Sequence, residues 1–398
     1  MQKTVVTILS YVLVALLSCA VTLDVMLIDE KQDQSKPQEQ SKPQEQSKLQ
    51  ELQALIDRVF IGEVDDVLLQ DEAADAMIQA LGDRWSYYMT QQEYKDYQDK
   101  MANSYVGIGI TVQLQADGSG IRVIKVTNGS PAQEVGIHAD DVVIAVEGQS
   151  IANMTLAQIT PLIKGEAGTK VQLTVLRDSQ ELEMTVERRK IQTPVATGKL
   201  LEGNIGLVQI VNFDSRCADE TMAVVNDLLE QGAEKLIFDV RNNPGGYKSQ
   251  LVKLLDQLLP KGLLFRSEYY DGTVLDDHSD AACLDVPMAV LVNGSSYSAA
   301  EFFAAALREY DWATVVGTQT CGKGYFQNVY PLSDGSAAAI STGKYYTPKG
   351  VSLAQVGGLT PDHVVEIDAK TAAAIASGIL DPMEDPQILA AIEALKGE

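Results

Sequence analysis

From about Thr193 onward the chain alternates between short β-branched runs and amphipathic helical stretches, and this alternation is the feature that most restricts its fold. NIGLVQI, KLIFDVR, MAVLVN, ATVVG and SAAAIST read as strands, with helices expected over Ala218–Gln231, Lys248–Leu258 and Ser298–Glu309. Strands and helices in strict succession are the mark of an α/β domain. The preceding segment has a different character. From Tyr105, the runs GIGITVQL, IRVIKVT, DVVIAVEG and VQLTVLR alternate with Gly and Asp turns. Short helices are expected from Ser130 into Val135 and from Thr155 to Lys164. Roughly ninety residues in this pattern predict a small β-rich module inserted ahead of the α/β domain.

At 398 residues the chain is long enough for two or three globular units, and 45% hydrophobic residues supply their cores. Leu52 to about Met101 has helical periodicity through Leu55, Val59 and Phe60, then Ala74, Met77, Ile78 and Leu81. Most of the aromatics that follow, Trp85, Tyr87, Tyr88, Tyr94 and Tyr97, read as packing residues. Upstream, QSKPQE occurs at 34–39 and 40–45 and QSKLQE at 46–51. Such apolar-poor, Gln- and Pro-rich sequence reads as a tether, or as an expanded repeat without a role. A last amphipathic helix is expected over Asp385–Lys396.

Lys3 precedes an uncharged apolar run, Val5–Leu23, followed by Asp24, Asp29 and Glu30. The run is long enough for one membrane crossing with the amino end inside. A cleaved signal, or a lipoprotein signal acylated at Cys19 of LLSC, are the competing readings. All three place the body outside the cytoplasm, and the first makes it a single-pass protein of the cell membrane. A formal charge of −24 repels phosphate backbones and excludes a nucleic-acid partner. Beyond Cys19 there remain Cys217, Cys283 and Cys321, an odd number without metal-ligand spacing, so no zinc site is expected.

The segment LVNGSSYSAAEFFAAALREYDWATVVGTQTCGKGYFQ, from Leu291 to Gln327, carries the chemistry. Ser298 opens an apolar helix whose first turn, Ala299, Ala300 and Glu301, begins with small residues that leave room for a carbonyl. Serines in such turns also serve as helix caps. Histidine is the usual base for a nucleophilic serine, but His138, His278 and His363 lie in no glycine- or serine-rich turn. Lys323, between Gly322 and Gly324, is the better base, provided burial keeps it neutral. Gln327 is placed to orient the amine. DVRNNPGG, 239–246, follows a strand, where Gly245 and Gly246 can expose backbone N–H groups as a second oxyanion donor beside Ala299.

Together these motifs resemble the C-terminal processing (tail-specific) peptidases. SSYSAAE is similar to that family's SASASE-like stretch, TCGKG to its TFGKG, DVRNNPGG to DLRNNPGG, and YYTPKG at 345–350 to YYTPSG. ALGDRWSYYMTQQEYKDYQ resembles the segment ahead of its PDZ domain, so the likeness runs from about Leu52 to the C-terminus. It implies that Ser298 is the nucleophile, Lys323 the general base and Gln327 its orienter. SPAQEVGIHADDVV is similar to the PDZ pattern SPAxxAGIxxGDxI, with Asp140 in place of a glycine. The resemblance then implies a PDZ domain whose Tyr105, Val106, Gly107, Ile108, Gly109 and Ile110 receive a peptide C-terminus as an added strand. Lys164 stands where an arginine is common. Tyr297, Ala300 and Cys321 are further departures; Cys321 is expected to be structural.

The expected architecture is therefore an α/β, crotonase/ClpP-like protease core with an inserted β-rich PDZ domain and helical segments at both ends. Expected boundaries are 1–28 for the anchor or signal, 29–51 for the tether and 52–103 for the N-terminal helical region. The PDZ domain takes 104–190, the protease core 191–368 and the C-terminal helical segment 369–398. The expected function is a membrane-tethered serine endopeptidase acting on protein or peptide substrates with exposed C-termini. No metal or organic cofactor is implied, and the resemblance implies a homodimer. The rivals are a catalytically silent PDZ scaffold and a different serine hydrolase such as an esterase.

Overall fold

The computed structural model describes residues 47–397; the apolar N-terminal run, Cys19 and both QSKPQE repeats lie outside the described residues. The chain divides into two compact units, 1–70 and 71–398. In the first, helix α1 (Lys48–Val59) begins inside the stretch expected as tether. The reason is local: Gln50 N–H donates to Ser47 Oγ and Ser47 N–H donates to Gln50 Oε1, a capping box that starts the helix where the prolines end. Leu49, Leu52, Leu55 and Val59 are all exposed along it. Helix α2 (Asp66–Gln79) crosses the division between the units. Among the described residues, no helix is long and apolar enough to cross a membrane.

In the second unit, strand β1 (Tyr87–Met89) and the Thr90/Glu93-capped helix α3 (Gln91–Met101) lead into the β-rich module. Its strands are β2 (Ser104–Gly107), β3 (Ile110–Leu114), β4 (Ile121–Val126), β5 (Val142–Val146), β6 (Gln149–Ser150), β7 (Lys170–Arg177), β8 (Gln180–Glu187) and β9 (Arg189–Gln192), with α4 (Pro131–Glu134) after β4 and α5 (Leu156–Ile163) after β6. One antiparallel sheet runs β3-β4-β5-β7-β8 with β6 on β5, and β2 pairs separately with β9. Inward residues such as Ile121, Val123, Val143, Leu173, Val175 and Val186 are fully buried, the alternation expected of a sheet with one solvated face. Asp140 has φ 73°, which explains why a glycine is usual there. Aspartate tolerates the left-handed conformation, and its carboxylate pairs with Arg122.

The larger module comprises β10 (Ala196–Leu201), β11 (Ile205–Ile210), α6 (Cys217–Glu230), β12 (Lys235–Asp239), α7 (Lys248–Leu258), β13 (Gly262–Tyr269), β14 (Val274–Ser279), β15 (Met288–Val292), α8 (Ala299–Glu309), β16 (Ala313–Gly317), β17 (Tyr325–Pro331), β18 (Ala337–Tyr346), α9 (Leu353–Val356), β19 (His363–Val364), α10 (Ala369–Ala376) and α11 (Pro386–Ala394). Its main sheet has the order β10-β11-β12-β15-β16-β19, parallel except for β10. A second, antiparallel sheet has the order β1-β18-β13-β14, with β17 also on β18.

The central strands read as unbroken apolar runs because both faces are covered. Leu236, Phe238, Val290 and Val292 pack on one face with Phe302 and Phe303 of α8. Ile237, Ala289 and Leu291 pack on the other with Ile388 and Ala391 of α11. Parallel pairing of Asp239 with Leu291 brings the C-terminal ends of β12 and β15 side by side. The loops that follow therefore meet. Asn242 N–H donates to Asn293 Oδ1 at 3.0 Å and Asn293 Nδ2 returns a bond to Asn242 Oδ1 at 3.0 Å.

Candidate active site

The three serines after β15 are held differently. Ser296 is fully buried, its hydroxyl donating to Val240 O at 2.7 Å and accepting from Asn293 N–H at 3.0 Å. Ser295 uses its N–H on Asn293 Oδ1. Ser298 is the residue before α8, yet its side chain makes no cap hydrogen bond. Its backbone lies at φ 58°, ψ −124°, outside the regions favoured by a residue with a Cβ. Such a conformation costs about 1–3 kcal/mol and persists only where the surroundings enforce it. Here Tyr297 N–H donates to Asn243 O at 3.2 Å, and Phe302 N–H to Ser298 O at 2.9 Å.

The glycines of the NNPGG loop press against this turn. A Cβ on Gly245 would sit 2.8 Å from Ser298 Cβ, Ala299 N and Tyr297 O, so only glycine fits. Gly246 is equally constrained, with φ 152° and Phe213 O 2.3 Å from an added Cβ. The expectation that either glycine N–H is free narrows. Gly245 N–H donates to Asn243 Oδ1 at 2.8 Å, and Asn243 is itself held by a bond to Ile210 O. Among the described residues, the N–H groups of Gly246 and Ala299 have no such acceptor.

Lys323 lies in the loop between β16 and β17. Gly322 (φ 78°) and Gly324 let that loop lie against 353–358, where an added Cβ would meet Gly357 C and Ala354 Cβ within 3 Å. The loop is gripped from α8 by Glu301, a fully buried carboxylate. Oε1 accepts Gly322 N–H at 2.7 Å and the Thr320 hydroxyl; Oε2 accepts Lys323 N–H at 3.0 Å. Burial raises the Glu301 pKa against these lowering bonds. Burial likewise pulls the Lys323 amine down from 10.5 to about 8, opposed by Cys321, Asp83 and Glu301. A lysine near 8 has a usable neutral fraction at neutral pH.

The three expected catalytic side chains do not all meet. Among the described residues, no hydrogen bond joins Lys323 Nζ to Ser298 Oγ. The amine lies 4.9 Å from the ring centroid of Trp85 and 5.9 Å from that of Tyr297. Gln327 was expected to orient the amine, but its Nε2 donates to Ser341 Oγ at 2.9 Å. The cause is its place on β17, where pairing with β18 sets Gln327 directly opposite Ser341.

Two residues were not singled out from sequence. Glu301 closes SSYSAAE, and its spacing from Lys323 hid the contact. Tyr345 of YYTPKG is buried, its hydroxyl donating to the Lys323 carbonyl and facing Ser298. Trp85 and Tyr97 are among the aromatics read for the most part as packing residues; Tyr97 does border an apolar cluster with Met89 and Val329, but Trp85 faces the lysine.

In the β-rich module, Tyr105, Val106 and Gly107 pair with Ile191, Lys190 and Arg189, leaving Ile108 and Gly109 as the turn into β3. Gly109 has φ 88° and lies against Ser130, where an added Cβ would be 2.2 Å from Ser130 Cβ. Ile110 begins β3, which ends the sheet and has one unpaired edge. Lys164 is exposed after α5. Arg188 instead satisfies the end of that helix, donating to Ile163 O at 2.8 Å and Leu162 O at 3.1 Å.

Comparison with known proteins follows the same division. Residues 204–365 match the family model for peptidase family S41, 106–187 that for the PDZ domain, and 5–93 that for the activating protease CtpB N-terminal domain. The carboxy-terminal processing protease CtpA of Bacillus subtilis (strain 168) is 33% identical over 292 residues, 72% of this chain and 62% of the relative. A probable CtpA-like serine protease of Staphylococcus saprophyticus is 30% identical over 315 residues, 78% of this chain and 63% of that one. The chain thus spans about three fifths of these relatives' length. An S41 protease candidate from Bacteroides fragilis NCTC 9343 shares the fold, with a TM-score of 0.55 at 16% identity over 81% of this chain and 90% of that one.

Proposed function

Because the chain belongs to the PDZ-containing S41 peptidases of the C-terminal processing type, we propose that it cleaves peptide bonds through an acyl-enzyme on Ser298. The neutral amine of Lys323 takes the Ser298 proton as Oγ attacks the scissile carbonyl. The oxyanion is held by the N–H groups of Ala299 and Gly246. Lys323 ammonium then protonates the leaving amine, and water attacks the ester with Lys323 again as base. The single observation behind this reading is the enforced Ser298 backbone at φ 58°, uncapped and packed on Gly245.

Substrates present a free C-terminus to the PDZ domain, where it adds to the open edge of β3 below the Ile108–Gly109 turn. The proposed domain limits remain 104–190 for the PDZ domain and 191–368 for the core. The apolar segment 5–23 tethers the body outside the cytoplasm, and two copies pair.

Peptide hydrolysis by the purified full chain is compared with Ser298→Ala and Lys323→Ala. Loss of cleavage in both variants supports the dyad, and equal cleavage by all three chains removes it. The lack of a bond from Lys323 to Ser298 favours one rival, a silent PDZ scaffold. That rival requires the unaltered chain to bind free C-termini and cleave nothing.

A further inference from the structure

Trp85 and Tyr297 belong to none of the hydrophobic clusters formed by the described residues. Their rings instead stack on each other, with centroids 6.4 Å apart and planes 29° apart. The amine of Lys323 lies over both, at 4.9 and 5.9 Å. Trp85 lies far outside the segment 204–365, and it is placed by its own local structure. Its N–H donates to Asp83 Oδ1 at 3.1 Å, and two residues on, Tyr87 pairs with Ala339 of β18.

Resting on the Ser298–Lys323 reading above, we propose that Trp85, with Tyr297, is a positioning residue for the general base: the two rings receive the Lys323 amine as a cation and hold it off Ser298 until it loses its proton. The physical basis is the negative face of the aromatic ring, which attracts an ammonium group and has little hold on a neutral amine. Among the described residues Lys323 forms no ion pair, and Asp83 and Glu301 favour its charged form only from beyond contact distance. The other groups around it are Asp83 and Arg84 from the segment before β1, Glu301 and Tyr297 at the head of α8, Cys321 on its own loop and Tyr345 on β18. Arg84 shares Trp85, its guanidinium carbon 4.2 Å from the ring centroid, and its Nη2 is 3.9 Å from Cys321 Sγ. Deprotonation frees the amine from the rings at the moment it becomes a base.

The test reads the contact directly. The chain has 2 tryptophans, and Trp85 is the one whose ring faces the Lys323 amine. Tryptophan emission of the full chain should titrate with a midpoint of about 8, and the titration should vanish in Lys323→Met and in Trp85→Phe. In peptide hydrolysis, Trp85→Leu should move the rising limb of the kcat/KM–pH profile to lower pH by about half to one unit, since the cation loses its partner while the apolar cover remains. Trp85→Phe should move it less. Tyr297→Leu, the second variant should Trp85→Leu fail to fold, should move it in the same direction. A titration that survives in Lys323→Met overturns the proposal, as does a limb that stays put or moves upward in both leucine variants. Failure of the dyad itself appears elsewhere, as hydrolysis that persists in Ser298→Ala or Lys323→Ala.

Discussion

The Glu301 carboxylate accepts the backbone N–H of Lys323 at 3.0 Å, so the first turn of the helix after Ser298 also holds the loop that presents the lysine. Serine and lysine are thereby positioned by one buried group. Glu301→Ala strands the Gly322 and Lys323 N–H groups and the Thr320 hydroxyl, each costing about 1–3 kcal/mol when buried without a partner. Its melting temperature and kcat should both fall. Glu301→Gln, which keeps one acceptor oxygen, should fall between the two; equal behaviour of Gln and Ala variants would count against the carboxylate grip.

Gly245 offers a test of the Ser298 turn that removes no reactive group. Alanine there meets Ser298 Cβ and Ala299 N at 2.8 Å with φ at 85°. Displacing Ser298 by about 1 Å is expected to lower kcat about 100-fold. Steady-state kinetics on Gly245→Ala checks this, with circular dichroism to confirm the fold.

Lys323 makes stability depend on pH with a definite sign. Its folded pKa of about 8 lies below the 10.5 of the unfolded chain, chiefly through burial. Between those values the unfolded state binds the extra proton, so stability rises with pH across that window and the full penalty is present below it. Lys323→Met should stabilise the chain at pH 7 by up to roughly 3 kcal/mol, and by much less at pH 10.5. Urea unfolding at the two pH values measures the difference; a larger gain at the higher pH would reverse the argument.

Arg241 is buried between Asp239 and Asp385, with Nη2–Oδ2 and Nη1–Oδ2 distances of 2.6 and 2.8 Å, and also donates to Gln387 at 2.9 Å. The C-terminal helix is thus pinned to the start of the NNPGG loop. Asp385→Ala leaves a buried guanidinium short of a partner and should cost about 3–5 kcal/mol in thermal or denaturant unfolding. Activity should fall with it, because Arg241 sits beside the loop carrying Gly246.

The open edge of β3 predicts how the PDZ domain reads a peptide. A peptide with a free C-terminal carboxylate should bind the full chain, and its C-terminal amide should bind at least tenfold more weakly. Fluorescence anisotropy with the two forms distinguishes them, and equal affinity would remove the carboxylate from the recognition.

The alternation of strands and helices after Thr193 was legible because both faces of β12 and β15 are covered, which leaves continuous apolar runs such as LIF and MAVLV. The helix bounds came within a residue or two for the same reason: Lys248–Leu258 repeats its buried leucines at helical spacing, and Ser298 and Asp385 are the residues just before their helices. The start of α1 was not read, because a capping box inside a low-complexity repeat looks like more repeat. The contact of Trp85 with Lys323 was out of reach too, since a tryptophan after a helical region is most often core.

By itself the sequence determined which groups exist and which backbone positions are special: a serine in a small-residue turn, a lysine between glycines, paired glycines after a strand. Those are local properties, set by side-chain size and φ. Tertiary structure alone decided which of them face one another. Gly245 meets Ser298 because two parallel strands end side by side, Glu301 holds Lys323 because helix and loop share a buried core, and the amine rests on Trp85 because β1 pairs with β18. Such meetings depend on strand order and register, which residues distant in the chain settle together and none encodes alone.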